Sequence, residues 1–208
     1  WQRIHNVVDD FFFHPITQLS IPPKPTNKYR LLHVSCFDEK AKNIQGLLRA
    51  ARAVANQRQD FELVVVGTGI DYQVDRSYAD KLDFPPEMLH FTGEQTPYEV
   101  AQWMQESDAF VLFSRYETYA VVLAEAVATG LPIISTSTAG IASELPEGCG
   151  VTIENENEEQ LAVAIQHILN RKKEYNKEYI KKHSQCFHAQ EVGKSLLAIY
   201  DRCLHSHI

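Results

Sequence analysis

Two hydrophobic rhythms alternate along the chain. Short, mostly apolar runs recur at residues 31–35, 61–66, 88–92, 109–113, 133–134 and 150–153. Between them lie longer stretches whose apolar residues return every three or four positions. Residues 43–57 show this best, with Ile44, Leu47, Leu48, Ala51, Val54 and Ala55 on one face. The short runs predict strands buried on both faces, and the periodic stretches predict amphipathic helices. Further helices are predicted over about 71–81, 97–106, 158–170, 173–183 and 189–204. Thr96 and Asn157 are the expected N-caps, with Pro97 opening one helix and Gln160 placed for a capping box in the other. Alternating strands and helices give an α/β fold, a Rossmann-like doubly wound parallel sheet of about six strands with helices on both faces. Such sheets bind ligands at the carboxyl ends of their strands, so the loops after Ser35, Val66, Thr92, Phe113 and Ser135 are the informative ones.

Residues 114–134, SRYETYAVVLAEAVATGLPII, break the pattern in a telling way. They read as a turn, a helix apolar on most faces, a break at Gly130 and Pro132, and a buried strand. A helix apolar all round belongs in a core. Glu125 is the only charge from 119 to 134, and a buried carboxylate is costly without a partner. Glu117 lies eight residues earlier, on the turn that opens the helix. Eight steps on an ideal helix leave the two about 80° apart, so both can face one cleft at different depths. The helix dipole accounts for Glu117 at an N-terminus but not for Glu125 in mid-helix. Two acids on one helix rarely flank a bond from opposite sides, which disfavours glycoside hydrolysis.

Composition narrows the class. The chain has 208 residues, 44% apolar and 23% charged, with net charge −7 and pI near 5.7. The acidic balance argues against a nucleic-acid partner. Cys36, Cys149, Cys186 and Cys203 are widely spaced without a CxxC, as expected for free thiols in a reducing, cytoplasmic compartment. No run approaches the roughly 18 apolar residues that would span a bilayer. The chain opens on Trp1, and residues 14–28 carry Pro15, Pro22, Pro23 and Pro25. Residues 1–28 are therefore expected to be an interdomain linker segment with an extended connector, 29–208 a domain, and the whole a piece of a longer protein.

Weaker candidates follow the other strands. The loop 35–43 runs into a helix N-terminus suited to an anion, with Lys42, and Lys40 as an alternative, to add charge. Gly67-Thr68-Gly69 begins like GxGxxG, but Tyr72 stands at the third glycine position and the motif follows the second strand. Glu87 would then be the ribose-binding acid; a tight turn is the plainer account. His183, Cys186, His188, Cys203, His205 and His207 are ligand types for zinc, but their spacing is irregular, so no metal is expected.

The motifs taken together resemble those of retaining glycosyltransferases of the GT-B fold (glycosyltransferases group 1, family 4-like). SRYETYAVVLAEAVATGLPII is similar to their E-x7-E region. Asn6-Val7-Val8-Asp9 with Pro15 is similar to the linker motif. His33-Val34-Ser35 with Lys42-Asn43, Val64 to Gly69, and Phe91-Thr92-Gly93 are similar to the first three strand ends, and Ala139-Gly140-Ile141 through Leu145 to the loop after the E-x7-E helix.

The resemblance implies that this is the donor-binding half, with the acceptor domain absent. By it, Lys42 neutralises the diphosphate, Glu117 binds hydroxyls of the transferred sugar, and Glu125 takes the ribose hydroxyls. Gly67 ends the second strand at the site, and backbone near Gly93 faces the base. The N–H groups of Tyr119 and Ala120 meet the distal phosphate. The implied partner is a UDP- or GDP-sugar, acting as donor substrate with no cofactor, and any membrane association lies in the missing half. Three departures stand out. Cys36 replaces the usual arginine, one more residue than usual precedes Lys42, and Thr118 and Ala120 replace glycines. A sugar-nucleotide epimerase of the same fold and a non-catalytic nucleotide-binding module are the alternatives.

Overall fold

A computed structural model describes residues 3–138 and 140–205, without the side chain of Lys173. Trp1, Gln2, Ala139 and residues 206–208, including His207, lie outside the described residues. Six strands form one sheet: β1 (Tyr29–Val34), β2 (Phe61–Val66), β3 (Leu89–Gly93), β4 (Ala109–Leu112), β5 (Ile133–Thr136) and β6 (Gly150–Ile153). All pairs are parallel, in the order β3-β2-β1-β4-β5-β6. The doubly wound α/β sheet expected from the apolar runs is therefore present. Strand order reverses between β1 and β4, the place where a doubly wound sheet opens a crevice.

Eight helices accompany the sheet among the described residues: α1 (Glu39–Lys42), α2 (Ile44–Ala55), α3 (Tyr72–Lys81), α4 (Pro97–Gln105), α5 (Val121–Ala128), α6 (Glu158–Asn170), α7 (Lys177–Ser184) and α8 (Ala189–His205). One face of the sheet, through Leu31, Leu63, Val65 and Val111, packs on α2, α3 and α6. The other, through Leu32, Val64, Phe110 and Leu112, packs on α4, α5 and α7. Alternate residues of β1, β2, β4 and β5 thus feed two cores, which is why those runs are mostly apolar.

Local differences from the sequence reading have local causes. The short α1 was not expected; Asp38 creates it by accepting from the N–H groups of Lys40 and Ala41. The helix expected from 173 starts at Lys177, where Asn176 caps it by accepting from Tyr179 N–H. Only half the box expected at Asn157 forms: its side chain accepts from Gln160 N–H, but Gln160 Oε1 turns to Glu154 N–H.

The N-terminal segment is more than a connector. Val8, Phe12 and Ile21 are buried in the α4–α5 core. Gln105 accepts from Ile16 N–H and Gln102 from Ser20 N–H, both at 2.9 Å. Lys24 reaches the buried Asp108 at 2.7 Å. Residues 3–28 are strapped to α4, and their amino end borders the crevice.

Candidate functional site

A cleft of about 500 Å³ opens at the carboxyl end of the sheet. Val34, Ser35 and Leu112, at the ends of β1 and β4, lie at its base. Its walls come from Lys42 of α1, Gln95 and Pro97 at the start of α4, the turn before α5, and Asn6 of the strap. Glu117 and Glu125 both line it, but Glu117 lies four residues before α5, so the turn and not the 80° helical spacing brings it there. Val121, Val122 and Glu125 form the half-buried stripe of α5 that faces the cleft, while Leu123, Ala124, Ala126 and Val127 are buried behind it.

Glu117 is held on one oxygen. Lys42 Nζ donates to its Oε1 at 2.6 Å and Ser114 Oγ to the same atom at 2.7 Å. The turn that carries it is tied to α1, because the N–H groups of Arg115 and Tyr116 both donate to the Ala41 carbonyl. Arg115 itself turns away from the cleft and pairs with Asn43 at 2.6 Å and Glu156 at 2.6 Å.

Glu125 has no hydrogen-bond or ion-pair partner among the described residues. Burial pushes its carboxyl up to about 7, and the Asp9 carboxylate of the strap adds to the rise. The polar partner that a mid-helix acid demands is thus not supplied by the described protein.

The N-terminus of α5 is open. Ala120 precedes it in a left-handed conformation, φ 62° and ψ 57°. The turn 118–120 lines the cleft, and its N–H groups with those of Val121 and Val122 donate to no described residue. Unpaired N–H groups at a helix start attract anions. Tyr119 also lines the cleft, its hydroxyl bound to His5 Nδ1 at 2.8 Å and accepting from Asn6 N–H at 3.2 Å. It thereby fastens the strap to the site.

His33 supports the base of the cleft. Burial drives its imidazole down to about 4, so it is neutral. The Val111 carbonyl, 2.9 Å from Nδ1, can only accept, so Nδ1 carries the proton. Nε2 then accepts from the Ser35 hydroxyl at 2.8 Å.

Of the residues singled out from the sequence, Lys42, Glu117, Tyr119, Ala120 and Glu125 come together. Lys40 is exposed and lines no part of the cleft. Gly67 and Gly93 lie just beside it, joined by a 2.8 Å bond from Gly67 N–H to the Gly93 carbonyl. Cys36 lines it where an arginine was expected. Gln95 was missed, and Ser114, Ser35 and Asn6 stand in the quoted motifs without having been given a site role; a serine three residues before a motif glutamate was the available sign for Ser114. Glu87 lies before β3, at the amino end of the sheet and far from this cleft, which removes the dinucleotide arrangement. Among the described residues no group of three or more His, Cys, Asp or Glu side chains could hold a metal, and no helix is long and apolar enough to cross a membrane.

Comparison with known proteins fits this geometry. Residues 17–185 match the family model described as glycosyl transferases group 1. The chain belongs to that family. An N-acetyl-alpha-D-glucosaminyl L-malate synthase of Bacillus anthracis is 29% identical over 150 residues, covering 71% of this chain and 38% of the relative. A GDP-mannose-dependent alpha-mannosyltransferase of Mycobacterium tuberculosis (strain CDC 1551 / Oshkosh) is 30% identical over 115 residues, covering 54% and 29%. The chain therefore spans well under half the length of these curated relatives. Among solved structures, sucrose-phosphate synthase from Thermosynechococcus elongatus gives a TM-score of 0.81 at 22% identity, covering 98% of this chain and 52% of that one. The galactosyltransferase WaaB gives 0.78 at 19%, covering 100% and 56%. At these identities the structural likeness speaks for the fold, and the family model carries the assignment to glycosyl transferases group 1.

Proposed function

We propose that the chain is the donor-binding half of a glycosyltransferase that moves a hexosyl unit from a nucleotide-diphosphate sugar to an acceptor with retention. The observation that carries the reading is one cleft lined by two acids of different character beside an open helix N-terminus. Glu125, unpartnered and half-buried, is satisfied by a ribose diol, whose two hydroxyls donate to it. Glu117, held on Oε1, has Oε2 left to accept from hydroxyls of the transferred sugar near the reacting carbon. The diphosphate lies against Lys42 and the N–H groups from Tyr119 to Val122. Charge grows there as the sugar departs, so donors already fixed in place stabilise it. The base sits toward Gly93 and Gln95, and Gly67 brings the end of β2 close behind them.

The relatives' names support a nucleotide-sugar donor. One is GDP-mannose-dependent, and a pneumococcal O-GlcNAc transferase of the same fold was solved in complex with UDP and GlcNAc. The acceptor is bound by a domain outside these residues, which would also carry any membrane attachment. Calorimetry and thermal protection with UDP, GDP, UDP-sugars and GDP-sugars test the reading. Binding of at least one nucleotide is expected, with Glu125→Ala weakening it about tenfold through the ribose. No heat and no protection with any of them overturns the proposal.

A further inference from the structure

Ser114 is fully buried two residues beyond β4. Its hydroxyl and Lys42 Nζ converge on the same oxygen of Glu117, at 2.7 and 2.6 Å. Its own carbonyl is held by two hydroxyls from the end of β5 and the loop beyond, Thr136 Oγ1 at 2.7 Å and Thr138 Oγ1 at 3.2 Å. The two donors to Glu117 therefore differ in kind. Lys42 is a flexible cation on the cleft wall, and a phosphate group competes for it. Ser114 is fixed in the core, and its hydroxyl donates to Glu117.

We propose that Ser114 is a positioning residue that keeps Glu117 aimed into the cleft once a diphosphate draws Lys42 away. The inference rests on the nucleotide-sugar reading of the cleft. Without Ser114, the ligand's phosphate would remove the last donor that orients the carboxylate, at the moment the sugar needs it. With Ser114 present, Oε1 stays anchored and Oε2 faces the sugar hydroxyls. Thr136 and Thr138 extend this control outward, because they fix the carbonyl of the residue that does the holding. A hydroxyl that merely closed the turn would instead affect the stability of the whole loop, and with it phosphate and sugar recognition alike.

The two roles separate in a binding measurement. The affinities of UDP, GDP, UDP-glucose, UDP-N-acetylglucosamine and GDP-mannose are measured by calorimetry for the wild-type chain and for Ser114→Ala. The variant should keep its nucleoside diphosphate affinity within about twofold and lose about five- to tenfold of the added affinity that the sugar confers. Thr138→Val, at an exposed position, should move the same ratio in the same direction by a smaller factor, and it decides the matter if Ser114→Ala does not fold. Full retention of the sugar's added affinity in both variants overturns the proposal, and so does a parallel loss for nucleoside diphosphate and sugar nucleotide. A wild-type chain that binds nucleoside diphosphate but gains nothing from any sugar overturns it too, while leaving the nucleotide site standing. A wild-type chain that binds no nucleotide removes the underlying reading first.

Discussion

Lys42 and Glu117, 75 positions apart in sequence, meet in a 2.6 Å ion pair on the wall of the cleft. Their side chains are only 16% and 8% exposed, so the pair is partly shielded from salt and water. It joins the residue assigned to the diphosphate to the residue assigned to the sugar. The diphosphate must therefore compete with Glu117 for the lysine.

That competition sets a sign. Glu117→Gln frees Lys42 and should tighten nucleoside diphosphate binding by roughly two- to fivefold, the scale of a partly exposed ion pair. The same variant should lose the additional affinity for the sugar. Lys42→Met should weaken nucleoside diphosphate binding. Titrations of both variants with UDP and GDP check this; unchanged affinity in Glu117→Gln would mean that the lysine is not shared.

Glu125 predicts a pH dependence. Its carboxyl is pushed up from 4.5 to about 7 by burial, helped by Asp9. Between those values the folded chain holds a proton that the unfolded chain has released. Stability from this group is greatest below about pH 4.5 and falls as pH rises to 7, by roughly 3 kcal/mol in all. Glu125→Gln should remove that slope and gain most at pH 8, measured by urea unfolding at pH 5 and 8. A ribose diol favours the ionised form, so nucleotide binding near pH 7 should release a proton. Binding heats in two buffers of different ionisation enthalpy detect it.

Much of this was legible in the chain. The central strands were visible because β1, β2, β4 and β5 are buried along most or all of their length and so mostly apolar, while β3 and β6, the edges of the sheet, are half-buried and left a weaker trace. Glu125 was visible because nothing else charged lies near it in sequence. The roles of Ser114 and His33 were not, because a buried serine or histidine has no periodic signature: His33 is fixed by the Val111 carbonyl of β4, and Ser114 by a bond to Glu117 that only the folded turn brings about. Lys40 could not be told from Lys42 by spacing alone. What separates them is α1, a single turn set by the Asp38 cap. It sends Lys42 inward and leaves Lys40 in solvent. The fastening of the strap was hidden for a related reason: its prolines mark extended backbone, while the groups that hold it, Gln102, Gln105 and Asp108, lie far along the chain.

Ala120 offers a test at the helix mouth. An L-residue in the left-handed region costs about 1–2 kcal/mol, and glycine there relieves that strain. Against this stand the buried methyl, worth about 0.8 kcal/mol, and the added freedom of glycine in the unfolded chain, about 0.5–1 kcal/mol. These nearly cancel. Ala120→Gly should therefore change stability by less than about 1 kcal/mol while opening the approach to the free N–H groups. A rise in nucleoside diphosphate affinity with little change in melting temperature is expected. A large stability change without a binding change would show that Ala120 matters for packing alone.

Gly67 and Gly93 separate crowding from conformation. Both have positive φ, 126° and 75°. A Cβ on Gly67 would lie 1.9 Å from the Ser35 carbonyl oxygen, whereas nothing lies within 4 Å of one on Gly93. Ser35 is fixed in turn, since its N–H donates to Val66 and its hydroxyl is bound to His33. Gly67→Ala must therefore push β1 and β2 apart where they reach the cleft, at a cost of about 3 kcal/mol or more. Gly93→Ala faces only the conformational penalty, about 1–2 kcal/mol. Urea unfolding should rank the two variants in that order. Nucleotide binding should fall further in Gly67→Ala than its lost stability alone explains, because Ser35 moves with the strand end. Equal destabilisation in both variants would mean that the close approach of β2 to Ser35 is not what glycine protects at position 67.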